Sequence, residues 1–223
     1  MSCGRSLRHL RDQHSRTLWD LGRPHRARAP RAIGELRPVA PRPAATVLVL
    51  TGAPLKVLMV RRPPGGLFGE AWVFPGGLTE AADGGPEDDD LMKRAAVREL
   101  EEEVGLRMPA ADLVYLSRWV TPHMLPRRYD TWFFLATLPG EVAVAPASEE
   151  VTDAVFVAPV TALAAHQAQQ WKLLLPTLAH LRWLTRHHSP QEALAAARTH
   201  ATSEPLEPQL TDDGSLVTPE LPW

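Results

Sequence analysis

The stretch FPGGLTEAADGGPEDDDLMKRAAVRELEEEVGL, Phe74–Leu106, decides how the rest of this 223-residue chain is read. Its second half has the marks of a short helix. Asp88, Asp89 and Asp90 supply N-cap and first-turn acids, Leu91, Ala95, Leu100 and Val104 recur at helical spacing, and Gly105 stands where a left-handed stop is expected. At about 100° per residue, Glu99, Glu102 and Glu103 share one narrow face while Glu101 points away. That face is poorly arranged for stability. Carboxylates three and four residues apart repel, and Glu102 and Glu103 lie near the end where the helix dipole already disfavours negative charge. Arg98 offsets only part of this, whereas a hard divalent cation such as Mg²⁺ favours such clustered oxygens. A solvated acidic helix face is the plain alternative for any EEE run. Here the fixed placement of Arg98, Gly105 and the preceding Pro-Gly-Gly turns the balance toward a metal site.

Arg98-Glu99-Leu100-Glu101-Glu102-Glu103-Val104-Gly105-Leu106 resembles the second half of the Nudix hydrolase box, REUxEExGU, where U is a bulky apolar residue. The first half fits in two registers. Gly84 and Asp90 have the family spacing, with Asp in place of Glu. Gly77 and Asp83 instead place the glycine second in a Gly-Gly pair after a strand, with a loop seven residues longer. The Gly77 register is preferred, because a glycine leaving a strand can turn tightly and lend its carbonyl to a metal, while Gly84 reads as a tolerant loop position. FPGG with an Asp six residues after its second Gly resembles the coenzyme A diphosphatase branch, particularly the peroxisomal type and its bacterial relatives.

Outward from this stretch, the chain divides into an Arg-rich extension (1–42), a domain that the resemblance implies is of Nudix type (43–200) and a Pro-rich acidic tail (201–223). The extension is read as disordered, with a transit peptide or basic arm as alternatives. Ala45–Leu50 and Leu55–Arg61 form an expected hairpin, and a Pro/Gly loop with Arg61 and Arg62 at its edge follows. Trp72–Phe74 is a short strand running into a Gly-Gly loop. Leu113–Val120 and Tyr129–Leu138 are further strands joined by TPHMLPRR, and Val151–Val157 follows the loop of Glu149 and Glu150. Helices are expected at Thr161–Gln170 behind a threonine cap, at Trp171–His187 with an interruption at Pro176, and from the Ser189-Pro190-Gln191-Glu192 capping box to about His200. The histidines His180, His187, His188 and His200 read as solvated or capping residues, and the Trp residues as core. The tail either turns a small hairpin at Asp213-Gly214 or is disordered. Periodicity gives an α/β class. The resemblance implies an α/β/α sandwich with a mixed β-sheet and extra C-terminal helices.

The resemblance also implies the chemistry: hydrolysis of a diphosphate bridge in a small molecule, with Mg²⁺ or Mn²⁺ as cofactor. Gly77, Glu99, Glu102 and Glu103 are then the metal-binding residues, and Arg98 orients Glu99 or a neighbouring carboxylate. The general base is Glu99 or Glu150, since branches differ. Arg62, Arg127 and Arg128 are the candidate substrate-binding residues, because guanidinium matches phosphate oxygens, with no choice made between the last two. Coenzyme A or an acyl-CoA is the expected substrate, ahead of ADP-ribose, a nucleotide sugar or a dinucleotide. Val60-Arg61-Arg62-Pro63 departs from the Thr/Ser-bearing motif of typical CoA enzymes. A Nudix fold that binds without turnover is the alternative of another class. A net charge of −2 gives no reason to expect a nucleic-acid partner, and no apolar run approaches the ~18 residues of a membrane span. The single cysteine, Cys3, fits a reducing, cytoplasmic setting. A homodimer is compatible with all of this.

Overall fold

The computed structural model describes residues 39–66, 68–85, 90–123, 125–200, 204–210 and 216–217. The Arg-rich stretch to residue 38, Asp88, Asp89 and Asp213-Gly214 lie outside these residues.

The centre is β1 (Arg42–Thr51), in which every residue from Val47 to Leu50 is fully buried. Alternation explains this. Ala45, Val47 and Val49 enter one hydrophobic cluster, and Leu48 and Leu50 enter the other, so the strand is apolar on both faces. A turn containing a cis Ala53–Pro54 bond leads to antiparallel β2 (Lys56–Arg61). On its other side β1 runs parallel to β6 (Tyr129–Thr137), which is antiparallel to β5 (Val114–Val120). Strand β2 also pairs with β3 (Ala71–Val73) and β7 (Asp153–Val157). Among the described residues, eight strands make one mixed sheet.

Pro75-Gly76-Gly77 is not the loop the sequence suggests. Gly76–Leu78 forms a short strand, β4, antiparallel to β1 through Ala45↔Gly77 and Thr46↔Gly76. The reason is steric. A Cβ on Gly76 would lie 2.3 Å from the Ala45 carbonyl oxygen, and its φ of 155° suits glycine, so only this residue lets the two backbones approach so closely. Because β1 pairs with β2 at one end and β4 at the other, the sheet forks between β1 and β2, with Phe74 and Pro75 crossing the gap from β3 on β2 to β4 on β1.

Helix α1 (Leu91–Val104) covers the face of Ala45, Val47 and Val49, approaching closely because Ala95 and Ala96 offer little bulk. Gly105, at φ 72°, ends it as expected. The opposite face carries α2 (Pro159–Gln167), α3 (Leu175–Leu184) and α4 (Pro190–His200). This is an α/β/α sandwich.

Several local expectations are corrected. α2 starts at Pro159 rather than behind Thr161, because proline at the first turn supplies a pre-set φ and needs no N–H. Trp171–His187 is not one interrupted helix. Lys172–Leu173 form β8 beside β3, and Pro176 sits in the first turn of α3, where its missing donor costs nothing. His180 is neither solvated nor a cap. It is buried among Phe133, Phe74 and Trp119, with Nε2 2.7 Å from the Ser117 hydroxyl, and burial drives its pKa down to about 3. At α4 the Ser189 hydroxyl accepts from Glu192 N–H, while the Glu192 carboxylate accepts from His188 N–H rather than from the cap residue itself. Among the described residues no helix is long and apolar enough to cross a membrane.

The first part of the tail is built into the sheet edge. Val120 N–H donates to the Leu206 carbonyl at 2.9 Å and Leu206 N–H to that of Arg118 at 2.7 Å, while the Leu206 side chain enters the core beside α4. β9 (Gln209–Leu210) and β10 (Leu216–Val217) pair antiparallel beyond it. Leu206→Ala is expected to cost about 2 kcal/mol in a denaturant titration, the usual loss for a buried leucine at a site that can partly collapse. An unchanged midpoint would mean that the tail is not held in the core.

Candidate active site

The acids come together where α1 passes under the fork in the sheet. Glu99 and Glu103, one turn apart, lie along the edge of the buried stripe of α1, next to Leu100 and Val104. Glu103 is 2 % exposed and accepts a hydrogen bond from Gly76 N–H at 3.0 Å. Glu99 lies so close under Gly77 that a Cβ there would be 2.2 Å from its Oε1. Glu150 reaches the same point from the loop before β7. One carboxylate oxygen from each of Glu99, Glu103 and Glu150 lies within 4.8 Å of the others. That loop is tied to the helix by Ala147 N–H donating to the Glu103 carbonyl at 2.8 Å.

The electrostatics follow from this crowding. Burial pushes the Glu103 carboxyl up to about 8, against the pull of the Gly76 N–H and the Arg62 charge, with Glu99 and Glu150 adding repulsion. Burial likewise raises Glu99, partly offset by the Arg98 charge and hydrogen bond, with Glu102 and Glu150 opposing. Buried carboxylates of like charge are costly unless a cation joins them.

Arg98 holds the arrangement from behind. Its Nε and Nη2 donate to the two oxygens of Asp83 at 3.0 and 3.1 Å, Nη2 also to the Leu78 carbonyl at 2.8 Å, and Nη1 to Glu99 and Glu102 at 3.0 and 2.8 Å. Every guanidinium N–H is thereby used. Burial alone would push Asp83 up, yet the hydrogen bonds from Arg98 and Glu80 N–H, with the charges of Arg98 and Arg94, hold it below the usual range. This anchor was not foreseen from the sequence. An Asp closing a turn six residues after the Gly-Gly pair, with an Arg on the next helix, is the signal that could have revealed it.

The residues proposed from sequence thus separate. Gly77, Glu99, Glu103 and Glu150 converge, with Arg98 behind them and half-buried Arg62 acting electrostatically on Glu103. Glu102 stands at the exposed rim on Arg98, outside the mutual contact of the other three acids. Glu101 points away, as the helical angle requires, and pairs with Arg107. Asp90 lies at the start of α1 paired with Lys93, away from the acids. Arg128 is committed to the fold, donating to the carbonyls of Thr121 and Val39 and to Glu207, whereas Arg127 is exposed. A cleft of about 370 Å³ between Asp83, Arg94, Arg98, Glu101 and Arg107 opens on the outer side of α1, behind the acids.

A profile of the NUDIX domain matches residues 40–177, well over half of the chain. The chain belongs to the Nudix family. A NUDIX hydrolase from Alicyclobacillus acidocaldarius is similar in structure, with a TM-score of 0.61 and 25% identity over 70% of this chain and 96% of that one. The NUDIX domain of Shewanella oneidensis NrtR, solved in complex with ADP ribose, shares the fold at 20% identity, with a TM-score of 0.51 over 66% of this chain and 88% of that one. No curated protein matches significantly. As a Nudix hydrolase, the chain is a pyrophosphohydrolase. Nudix enzymes generally use divalent metals, and the glutamate cluster is able to hold one.

Two predictions arise from this geometry. The folded-state pKa of Glu103 lies above its ordinary value of 4.5, so ionisation is harder in the folded chain. Its cost to stability is absent at low pH and grows as pH rises from about 4.5 to 8. In excess chelator, Glu103→Gln should therefore melt several degrees above wild type at pH 8.5 and lose that advantage near pH 4.5. Parallel melting curves at every pH would remove the buried-acid account. The second concerns the two glycines. Gly77→Ala must displace Glu99 and should reduce turnover at least tenfold. Gly84, expected from sequence to be tolerant, instead closes a 3₁₀ turn at φ 127°, where a side chain is strained. Gly84→Ala should cost about 1–3 kcal/mol of stability with turnover near wild type. The reverse pattern would transfer the site to Gly84 and Asp90.

Proposed function

We propose that this Nudix hydrolase cleaves the diphosphate bridge of coenzyme A or an acyl-CoA, releasing 3′,5′-ADP and a phosphopantetheine product. The observation that carries the reaction type is the meeting of Glu99, Glu103 and Glu150 beside Gly77. Two of these acids are buried, and the donors are hard oxygens, which suits Mg²⁺ or Mn²⁺. Glu99, Glu103, Glu150 and the Gly77 carbonyl would hold the ion, with Glu102 at the rim. Such an ion neutralises charge on the non-bridging oxygens and lowers the pKa of a bound water.

The protein's own part is to position and to move a proton. Water oxygen bonds to one phosphorus as the bridging P–O bond breaks. The other phosphate leaves with the bridging oxygen, and the water's proton passes to a carboxylate. Glu150 suits this step best, because it is the exposed member of the three and sits on a loop rather than under the sheet. Glu99 is held by Arg98 and so is less free to turn. Arg62, whose charge acts on Glu103, would meet the phosphate that leaves, because guanidinium matches phosphate oxygens.

The substrate rests on different support. The FPGG stretch with Asp83 and the Trp119–Phe134 segment both resemble coenzyme A diphosphatases.

Incubation with CoA, ADP-ribose, NADH and UDP-glucose, with and without Mg²⁺, and chromatography of the products tests both parts. CoA should be consumed fastest, and excess chelator should abolish turnover. Faster cleavage of ADP-ribose would overturn the substrate assignment. Undiminished rates in chelator would overturn the metal assignment.

A further inference from the structure

Phe68 and Tyr129 lie with ring centroids 6.0 Å apart at 56°, both half-buried. Among the described residues, neither belongs to the two hydrophobic clusters or to the partly buried residues packed on them. The pair thus lies apart from both clusters, and aromatic side chains carry large apolar surfaces. Phe68 stands on the loop between β2 and β3, which is closed at its base by Arg62 N–H to the Ala71 carbonyl and pinned by Glu70 N–H to the Pro63 carbonyl and Lys172 Nζ to the Gly69 carbonyl. The loop thus begins beside the acids, through Arg62, and carries Phe68 to the first residue of β6.

The sheet register sets the span. Tyr129 is level with Arg42 on β1, while Gly77 is level with Ala45 on the far side of β1. Three residues along and two strands across give about 14 Å between Tyr129 and the acid cluster. An extended nucleoside diphosphate is of comparable length.

The third component comes from the two adjacent arginines. Arg128 spends its guanidinium on Thr121, Val39 and Glu207, while Thr121 N–H donates to the Tyr129 carbonyl and its hydroxyl accepts from Tyr129 N–H. Arg127, two residues before Tyr129 in the chain, is instead exposed and makes no ion pair among the described residues. A half-buried aromatic surface with an adjacent free guanidinium is suited to a base carrying a phosphorylated ribose.

We propose that Phe68, Tyr129 and Arg127 form a subsite for a 3′-phosphorylated nucleoside, the base stacking on the aromatic pair and the ribose phosphate meeting Arg127. This rests on the coenzyme A reading, because that substrate bears such a phosphate and ADP-ribose does not.

Binding separates the two ideas. Calorimetry of the metal-free full chain with adenosine 3′,5′-bisphosphate and with adenosine 5′-monophosphate should show the bisphosphate bound about tenfold tighter, the ordinary effect of one charge-assisted contact. Arg127→Gln should erase that preference and leave monophosphate binding intact, while Arg128→Gln should not selectively remove it. Phe68→Ala should weaken both ligands at unchanged melting temperature. Equal binding of the two ligands by wild type, or a preference that survives Arg127→Gln, overturns the phosphate assignment even if CoA is hydrolysed. Phe68→Ala that lowers the melting temperature but not affinity makes the pair a loop anchor and overturns the base assignment. A retained preference in an enzyme that does not cleave CoA would sink the substrate proposal and leave the subsite standing.

Discussion

The guanidinium of Arg98 is the constraint on which the site depends. With all its donors engaged, it joins the turn ending at Asp83, the carbonyl that closes β4, and two acids of α1. Bidentate pairing with a buried carboxylate is strong only because each remaining lone pair and proton is also matched. Removing Arg98 would strand Asp83 at 3 % exposure, and losing one partner of a buried pair typically costs about 3–5 kcal/mol. The same contacts keep one Glu99 oxygen aimed backward, which limits how that side chain can meet a ligand in front.

Around this anchor the fold brings together three segments distant in sequence. The Gly-Gly strand is fixed by close approach to β1, the helix by its alanines against the sheet, and the Glu150 loop by one hydrogen bond from Ala147 to the helix end. Each device is local and inexpensive. Their joint effect is costly, because it places carboxylates of like charge where burial and repulsion both favour protonation. A structure that tolerates such a cluster is able to hold a cation there at the expense of maximal stability.

The opposite end of the sheet shows how neighbouring residues of one type acquire different work. Arg127 and Arg128 are chemically identical. Backbone direction alone sends Arg128 toward the carbonyls of Val39 and Thr121 and leaves its neighbour in solvent. Glu207, from the tail, completes the bracing of Arg128 while Leu206 beside it closes the edge of β5. Residues beyond the matched domain therefore reach the loop between β5 and β6.

Local pattern determined a good deal by itself: the apolar strand β1, the acid-bearing helix with its stop at Gly105, the strands after it, and the acids on one side of that helix. These features depend on side-chain period and on backbone freedom at single residues, both of which a sequence displays directly. Tertiary structure alone decided the rest. That Glu150 joins Glu99 and Glu103 while Glu102 stays at the rim, that Asp83 anchors Arg98, that Gly-Gly is a strand, and that His180 is core all depend on what packs from elsewhere. Periodicity assigns a direction to a side chain on its own element, but the partner it meets there is supplied by residues far along the chain.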